Sequence, residues 1–224
     1  GFVQTQAANS ALKWETTDEI NVGTDFALLN NRIFGSFDYF TRKTSGILIT
    51  PPVASALGEG QSKAVNGASK SNKGWEFVLG YRGTAQGDLK YNVIANFTHF
   101  RDKIIELPEN VRPAYAGNLV NTIIGHSQFD IFGYKTDGLF QSQEEVDAAP
   151  AQVGAGPGRI RYADINNDNR IDDLDRTWIG TTLPALEYGL RVDLTYKKFD
   201  LSFFGSGVAG RKGFDVYTLF NNLM

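Results

Sequence analysis

The chain has 224 residues, 21% charged and 42% hydrophobic, a balance that excludes both a disordered polyelectrolyte and a bundle of hydrophobic membrane helices. A formal charge of -3 gives no general attraction to nucleic acid, and the lack of cysteine excludes a disulfide framework or a cysteine metal site. No window approaches the ~18 consecutive apolar residues of a membrane helix, a test that says little about membrane strands because they alternate.

The chain opens on Gly1-Phe2-Val3 without Met and closes on Asn221-Asn222-Leu223-Met224 without a terminating feature, so both ends are expected to be internal to a longer protein. A fragment would carry no signal peptide, so the lack of one is uninformative about export. The 24 glycines and the 12% aromatic content suit twisted antiparallel sheet with aromatic girdles.

Side chains alternate faces along a strand, so a barrel strand in lipid reads apolar at every second residue. Ile20, Val22, Thr24, Phe26 and Leu28 follow this pattern and predict a strand over 19–29, which turns at Asn30-Asn31 into a second over 32–42. Phe34 and Phe40 share a face with Asp38, which leaves the facing of that second strand open. Trp75, Phe77, Leu79 and Tyr81 predict a strand over 73–83, and Leu89, Tyr91, Val93, Ala95 and Phe97 one over 88–100.

The clearest strand is 185–197, with Leu186, Tyr188, Leu190, Val192, Leu194 and Tyr196 on one face and Glu187, Gly189, Arg191, Asp193, Thr195 and Lys197 on the other. That length is about the 9 to 11 residues a tilted membrane strand needs. A last strand is expected over 199–209, with Phe204 and Val208 on the same face as Asp200.

The breaks near residues 30, 85 and 198 are short, whereas 43–72 and 101–184 are very long. Soluble domains seldom hold structureless loops beyond about 15 residues. Outer-membrane barrels alternate short periplasmic turns with long extracellular loops. With the short turns inside, the strand ending near Phe100 runs outward and the one starting near Leu186 runs inward. Residues 101–184 then cross the membrane an even number of times, and zero crossings are expected.

Within that excursion, Asp164-Ile165-Asn166-Asn167-Asp168-Asn169-Arg170-Ile171-Asp172-Asp173-Leu174-Asp175 resembles a calcium loop. Oxygen donors at positions 1, 3, 5, 9 and 12 fall on Asp164, Asn166, Asp168, Asp172 and Asp175, and the position 7 carbonyl on Arg170. The loop departs from the EF-hand pattern at Asn169, where Gly is usual, and at Asp175, where Glu is usual. No flanking helices are expected. The alternative is an acidic surface loop held by Asx turns without metal. Any ion here would serve folding, because nothing beside it looks like a nucleophile or a base.

His99 and His126 read as ordinary strand or loop histidines, and Ser127 has no nameable base, so no hydrolase triad is supported. Asp38, Glu76, Arg82, Glu187, Arg191 and Asp193 are candidates for a polar lumen or, equally, a solvated sheet face. Tyr115, Tyr134, Phe140 and Trp178 suit either ligand stacking or, more commonly, a local loop core. The basic pairs Arg42-Lys43, Lys197-Lys198 and Arg211-Lys212 sit at strand ends, where they suit a membrane interface.

Several stretches together resemble one family. They include Leu12-Lys13-Trp14-Glu15-Thr16-Thr17, Asn21-Val22-Gly23-Thr24-Asp25-Phe26, Asn72-Lys73-Gly74-Trp75-Glu76, the run from Phe132-Gly133-Tyr134 to Phe140-Gln141, and Phe199-Asp200-Leu201-Ser202. In their order and spacing they resemble the C-terminal barrel portion of the SusC/RagA-type TonB-dependent outer-membrane transporters, over nearly the whole chain 1–224. The resemblance implies an all-β fold, a partial transmembrane antiparallel β-barrel drawn from a barrel of about 22 strands, with long extracellular loops.

The resemblance further implies a bacterial outer-membrane location and import of oligosaccharides or peptides with a SusD-like surface lipoprotein. Energy would come through TonB by way of a plug absent from this stretch, with no covalent chemistry. Two rivals stand beside it. One is a secreted, calcium-stabilised all-β carbohydrate-binding or adhesion module, which requires a closed hydrophobic core. The other is a secreted glycan hydrolase, for which Glu76, Glu187 and Asp193 lack a marked acid and nucleophile pair.

Overall fold

The computed structural model describes residues 9–50 and 64–213. The two chain ends discussed above, and residues 51–63 of the first long break, lie outside the described residues.

The described residues form ten strands: β1 (Thr16–Leu28), β2 (Ile33–Ile49), β3 (Val65–Thr84), β4 (Lys90–Glu106), β5 (Asp130–Tyr134), β6 (Thr136–Leu139), β7 (Ile160–Tyr162), β8 (Arg176–Thr181), β9 (Leu186–Tyr196) and β10 (Phe199–Ala209). The six strands expected to cross a membrane form one open sheet in the order β1-β2-β3-β4-β9-β10. No strand of that sheet lies within residues 107–185.

Short connections close the three hairpins. Leu29, Asn30 and Asn31 take φ of 53°, 55° and 63°, a left-handed run that two asparagines tolerate. Gly87 and Asp88 turn β3 into β4 at φ of 74° and 66°. Lys197 and Lys198 alone join β9 to β10, with Lys197 at φ 55°.

Three strands run further than their alternation indicates. β2 continues to Ile49, β3 begins at Val65 and β4 continues to Glu106, so the breaks read as 43–72 and 101–184 are shorter at these strand ends. Apolar alternation records where one face is apolar. Ladder hydrogen bonds need only a neighbouring strand, and pairing continues after the pattern stops, past the buried Thr44 and Ser69.

The chain divides into two compact units. One comprises residues 1–15, 46–69 and 104–181, and its buried cluster is Ala68, Leu107, Val111 and Ile123, with Ile47, Ile49, Ile104, Tyr115, Ile124 and Trp178 packed around it. Two small antiparallel ribbons, β5-β8 and β6-β7, belong to it, as does the helix α1 (Gln143–Ala148). Phe140 is 1% exposed beside α1. The other unit comprises residues 16–45, 70–103 and 182–224, and among its described residues no apolar side chain is buried.

Candidate functional site

The sheet presents two chemically different faces. On the apolar face the register sets Phe97 opposite Tyr188, Val93 opposite Val192, and Val192 opposite Phe203. Ile20 and Val22 are each 65% exposed and Phe203 57%, with nothing described covering them. Aromatic pairs sit toward both ends of this face. Tyr81 and Tyr91 lie 5.8 Å apart near the short turns, and Trp75 and His99 lie 6.0 Å apart near the other end. A band of aliphatic side chains between two aromatic rows is the outer surface of a membrane barrel.

Glycines on the sheet are matched to large neighbours. A side chain on Gly207 would meet the Tyr188 hydroxyl at 2.6 Å and its ring at 2.7 Å, and one on Gly74 would meet Phe40 at 2.6 Å and the His99 carbonyl at 2.5 Å. On the polar face Phe34 covers Gly80, and the Arg82 guanidinium stacks 4.6 Å over the Phe34 ring. Phe34 and Phe40 therefore lie with the polar residues, each filling the space of a missing side chain on β3. That settles the facing the sequence left open.

The other polar-face residues largely satisfy one another. Asp193 accepts from Ser202 Oγ at 2.7 Å, Arg191 Nε at 3.0 Å and Asn92 Nδ2 at 3.3 Å. Thr195 donates to its cross-strand partner Asp200 at 2.6 Å, and Arg42 pairs with its partner Glu19 at 2.7 Å. These contacts order a water-facing wall. Charge on it includes Glu19, Asp25, Asp38, Glu76, Asp102, Glu187, Asp193 and Asp200 as well as Arg42, Arg82, Lys90 and Arg191.

The acidic loop folds as one tight turn. Asp164 accepts from the amides of Asn167 (2.7 Å), Asp168 (3.3 Å) and Asn169 (2.8 Å), and Asn169 takes φ 63°, the left-handed conformation its position demands of the usual Gly. Asn166 accepts from the Asp168 amide and Asp168 from that of Arg170. Asp172 and Asp175 form a reciprocal capping box around the 3-10 turn Asp173–Asp175.

Asp175 is 0% exposed and accepts from the amides of Ile165 (2.9 Å) and Asp172 (2.8 Å). Burial pushes its pKa up, but the amide donors of Asp172, Ile165 and Asn166 and a contact with the Asp164 carboxyl outweigh it and hold the carboxyl below its ordinary range. Loop positions 1 and 12 thus converge, as an ion would require. Among the described residues no group of three or more His, Cys, Asp or Glu side chains stands close enough to hold a metal, so the fit is partial.

The other residues singled out above have these places. His99 Nδ1 contacts the Ala185 carbonyl on the sheet. His126 stacks 4.1 Å over Trp178 and reaches Asp130 at 3.3 Å, an arrangement that sequence spacing did not bring out. Tyr134 packs on Tyr162, and Phe140 and Trp178 belong to local packing, the commoner of the two roles weighed. Tyr115 lines a cavity of about 450 Å³ with Arg112, Pro113, Leu119, Ile123 and Asp173. The loop beside it is held by Asn118, whose side chain accepts from the Val120 and Asn121 amides and donates to the Asp173 carbonyl.

Comparison with known proteins agrees with this geometry. The family described as TonB dependent receptor-like, beta-barrel, matches residues 1–205. TonB-dependent receptor P3 of Formosa agariphila is 31% identical over 220 residues, covering 94% of this chain and 22% of the relative. TonB-dependent receptor SusC of Bacteroides thetaiotaomicron is 27% identical over 205 residues, covering 88% of this chain and 20% of the relative. The RagAB peptide importer in its open-open state superposes with a TM-score of 0.69 at 20% identity, over 92% of this chain and 22% of that one, which supports the fold.

The chain therefore spans about a fifth of the length of the curated relatives it matches. The family is one of receptors and transporters of the bacterial outer membrane, not of enzymes. With its matching six-stranded sheet and uncovered apolar face, the chain belongs to the TonB-dependent receptor β-barrel family.

Proposed function

We propose that this chain supplies part of the barrel wall and of the extracellular structure of a TonB-dependent importer of oligosaccharides or peptides. The observation that carries the reading is the apolar face of β1-β2-β3-β4-β9-β10, an aliphatic band between aromatic rows whose side chains stay exposed among the described residues. In this reading the short turns are periplasmic, the remainder of the receptor provides the plug and the other strands, and a SusD-like surface lipoprotein covers the outer side. Residues 101–184 then form an extracellular excursion. Energy reaches the site through TonB as displacement of the plug, and no bond in the solute is made or broken.

Uptake of labelled oligosaccharides and peptides by cells with and without functional TonB tests the reading. TonB-dependent uptake of either class, together with recovery of the intact polypeptide in the outer-membrane fraction, is expected. A polypeptide that is soluble and monomeric without detergent would overturn the reading in favour of the secreted calcium-stabilised module.

A Ca²⁺ ion is proposed in addition for the turn at Asp164, Asn166, Asp168, Arg170, Asp172 and Asp175. The donor spacing, the left-handed Asn169 and the convergence of Asp164 with Asp175 support it. Because the amides of the turn already occupy several of these oxygens, affinity in the range of about 10⁻⁴–10⁻³ M is expected, that of weak extracellular sites. Calorimetry on the intact receptor that finds no binding at millimolar Ca²⁺ removes this proposal.

A further inference from the structure

The apolar face changes character just past its second aromatic row. Trp75 on β3 and His99 on β4 stand side by side, and two residues further along each strand alternation brings Lys73 and Arg101 onto the same face. On the adjoining strand β2 the same face carries Tyr39, Thr41 and then Lys43. Three neighbouring strands therefore carry cations past the second aromatic row, Lys43 on β2, Lys73 on β3 and Arg101 on β4, with Lys103 next along the same β4 row.

Their surroundings differ in a useful way. Arg101 is anchored, its Nη1 donating to the carbonyls of Pro184 at 2.6 Å and Phe100 at 3.2 Å. Lys43 and Lys73 are exposed, and among the described residues neither has an ion-pair partner. The acid on this end of the face is Asp18, which lies opposite Lys43 in register without reaching ion-pair distance. An unneutralised basic row beside aromatic residues that lie at headgroup depth has one natural complement, an anionic headgroup in the same leaflet.

We propose that Lys43, Lys73 and Arg101 form a binding site for the phosphate groups of an outer-leaflet lipid. The inference rests on the barrel reading above, which turns this face to lipid and puts this end at the outer surface. Arg101 serves as the fixed member, and its carbonyl contacts hold the guanidinium plane. The lysines, on flexible stems, close on the phosphate oxygens as point charges. The site holds a boundary lipid against the barrel wall.

The test uses the intact receptor in detergent and native mass spectrometry with bisphosphorylated lipid A, its dephosphorylated form and inorganic phosphate. The receptor is expected to retain the phosphorylated lipid selectively, and the double variant Lys43→Gln, Lys73→Gln to bind it about 25-fold more weakly, at about fivefold per basic side chain. Heat-modifiable gel mobility confirms that the variant is folded. Equal retention by parent and variant, equal binding of the dephosphorylated lipid, or displacement by millimolar inorganic phosphate overturns the proposal. A lipid-borne quencher reaching a label on Leu79→Cys checks the barrel reading separately. If lipid reaches residue 79 while the double variant binds normally, the headgroup inference alone has failed.

Discussion

Phe40 lies where a side chain on Gly74 would stand, and the carbonyl of His99 closes the same space from the other side. Phe34 covers Gly80 in the same manner, but there the nearest atoms all belong to the ring. The two pairs therefore differ in what can give way. Gly80→Ala is expected to cost about 1–3 kcal/mol by overpacking and to be relieved in large part by adding Phe34→Ala. Gly74→Ala is expected to cost at least as much and to remain unrelieved by Phe40→Ala, because the backbone oxygen stays. Urea titration of the intact receptor refolded into bilayers measures both cycles.

Val192 stands mid-strand between Val93 and Phe203 on the apolar face. Val192→Arg is expected to destabilise the folded barrel by about 2–4 kcal/mol, the charge having no water or partner at mid-bilayer depth. Ser206→Arg, on the polar face of β10, is expected to change stability by less than about 1 kcal/mol. Similar losses for the two variants would contradict the assignment of faces.

Asp175 ties Ile165 to Asp172 through a buried, ionised carboxylate. Because its pKa in the folded turn lies below the unfolded value, its contribution is fully present above about pH 4 and is lost as pH falls through the folded pKa. Asp175→Ala is expected to weaken amide protection at Asp172 and Ile165 by roughly 2–4 kcal/mol at neutral pH. Hydrogen exchange should show the difference narrowing below pH 4. A difference that grows on acidification would mean that Asp175 is protonated in the native turn.

Strand positions were legible because lipid imposes a one-sided demand. Tyr188, Leu190, Val192 and Leu194 must all be apolar, and that alternation shows in one sequence. Strand ends were less legible, since Val65 to Ser71 and Ile104 to Glu106 belong to strands without carrying such a pattern. The helix α1 was missed although Ser142, accepting from the Glu145 amide, marks its start with a usable capping signal. The stack of His126 on Trp178 joins residues 52 positions apart, a relation that no local pattern encodes. In the acidic loop the spacing foretold the left-handed Asn169. It did not foretell that Asp172 and Asp175 would first cap a 3-10 turn.

The buried cluster around Leu107, Val111 and Ile123 belongs to one unit, while the sheet unit has no buried apolar side chain among its described residues. The two units accordingly answer to different solvents. Water drives the first together by expelling its aliphatic groups, whereas the sheet gains comparable stabilisation only when hydrocarbon tails replace water on its outer face. A short-chain detergent that strips boundary lipid should loosen the strands while the aqueous unit stays folded, giving one polypeptide two separable melting events.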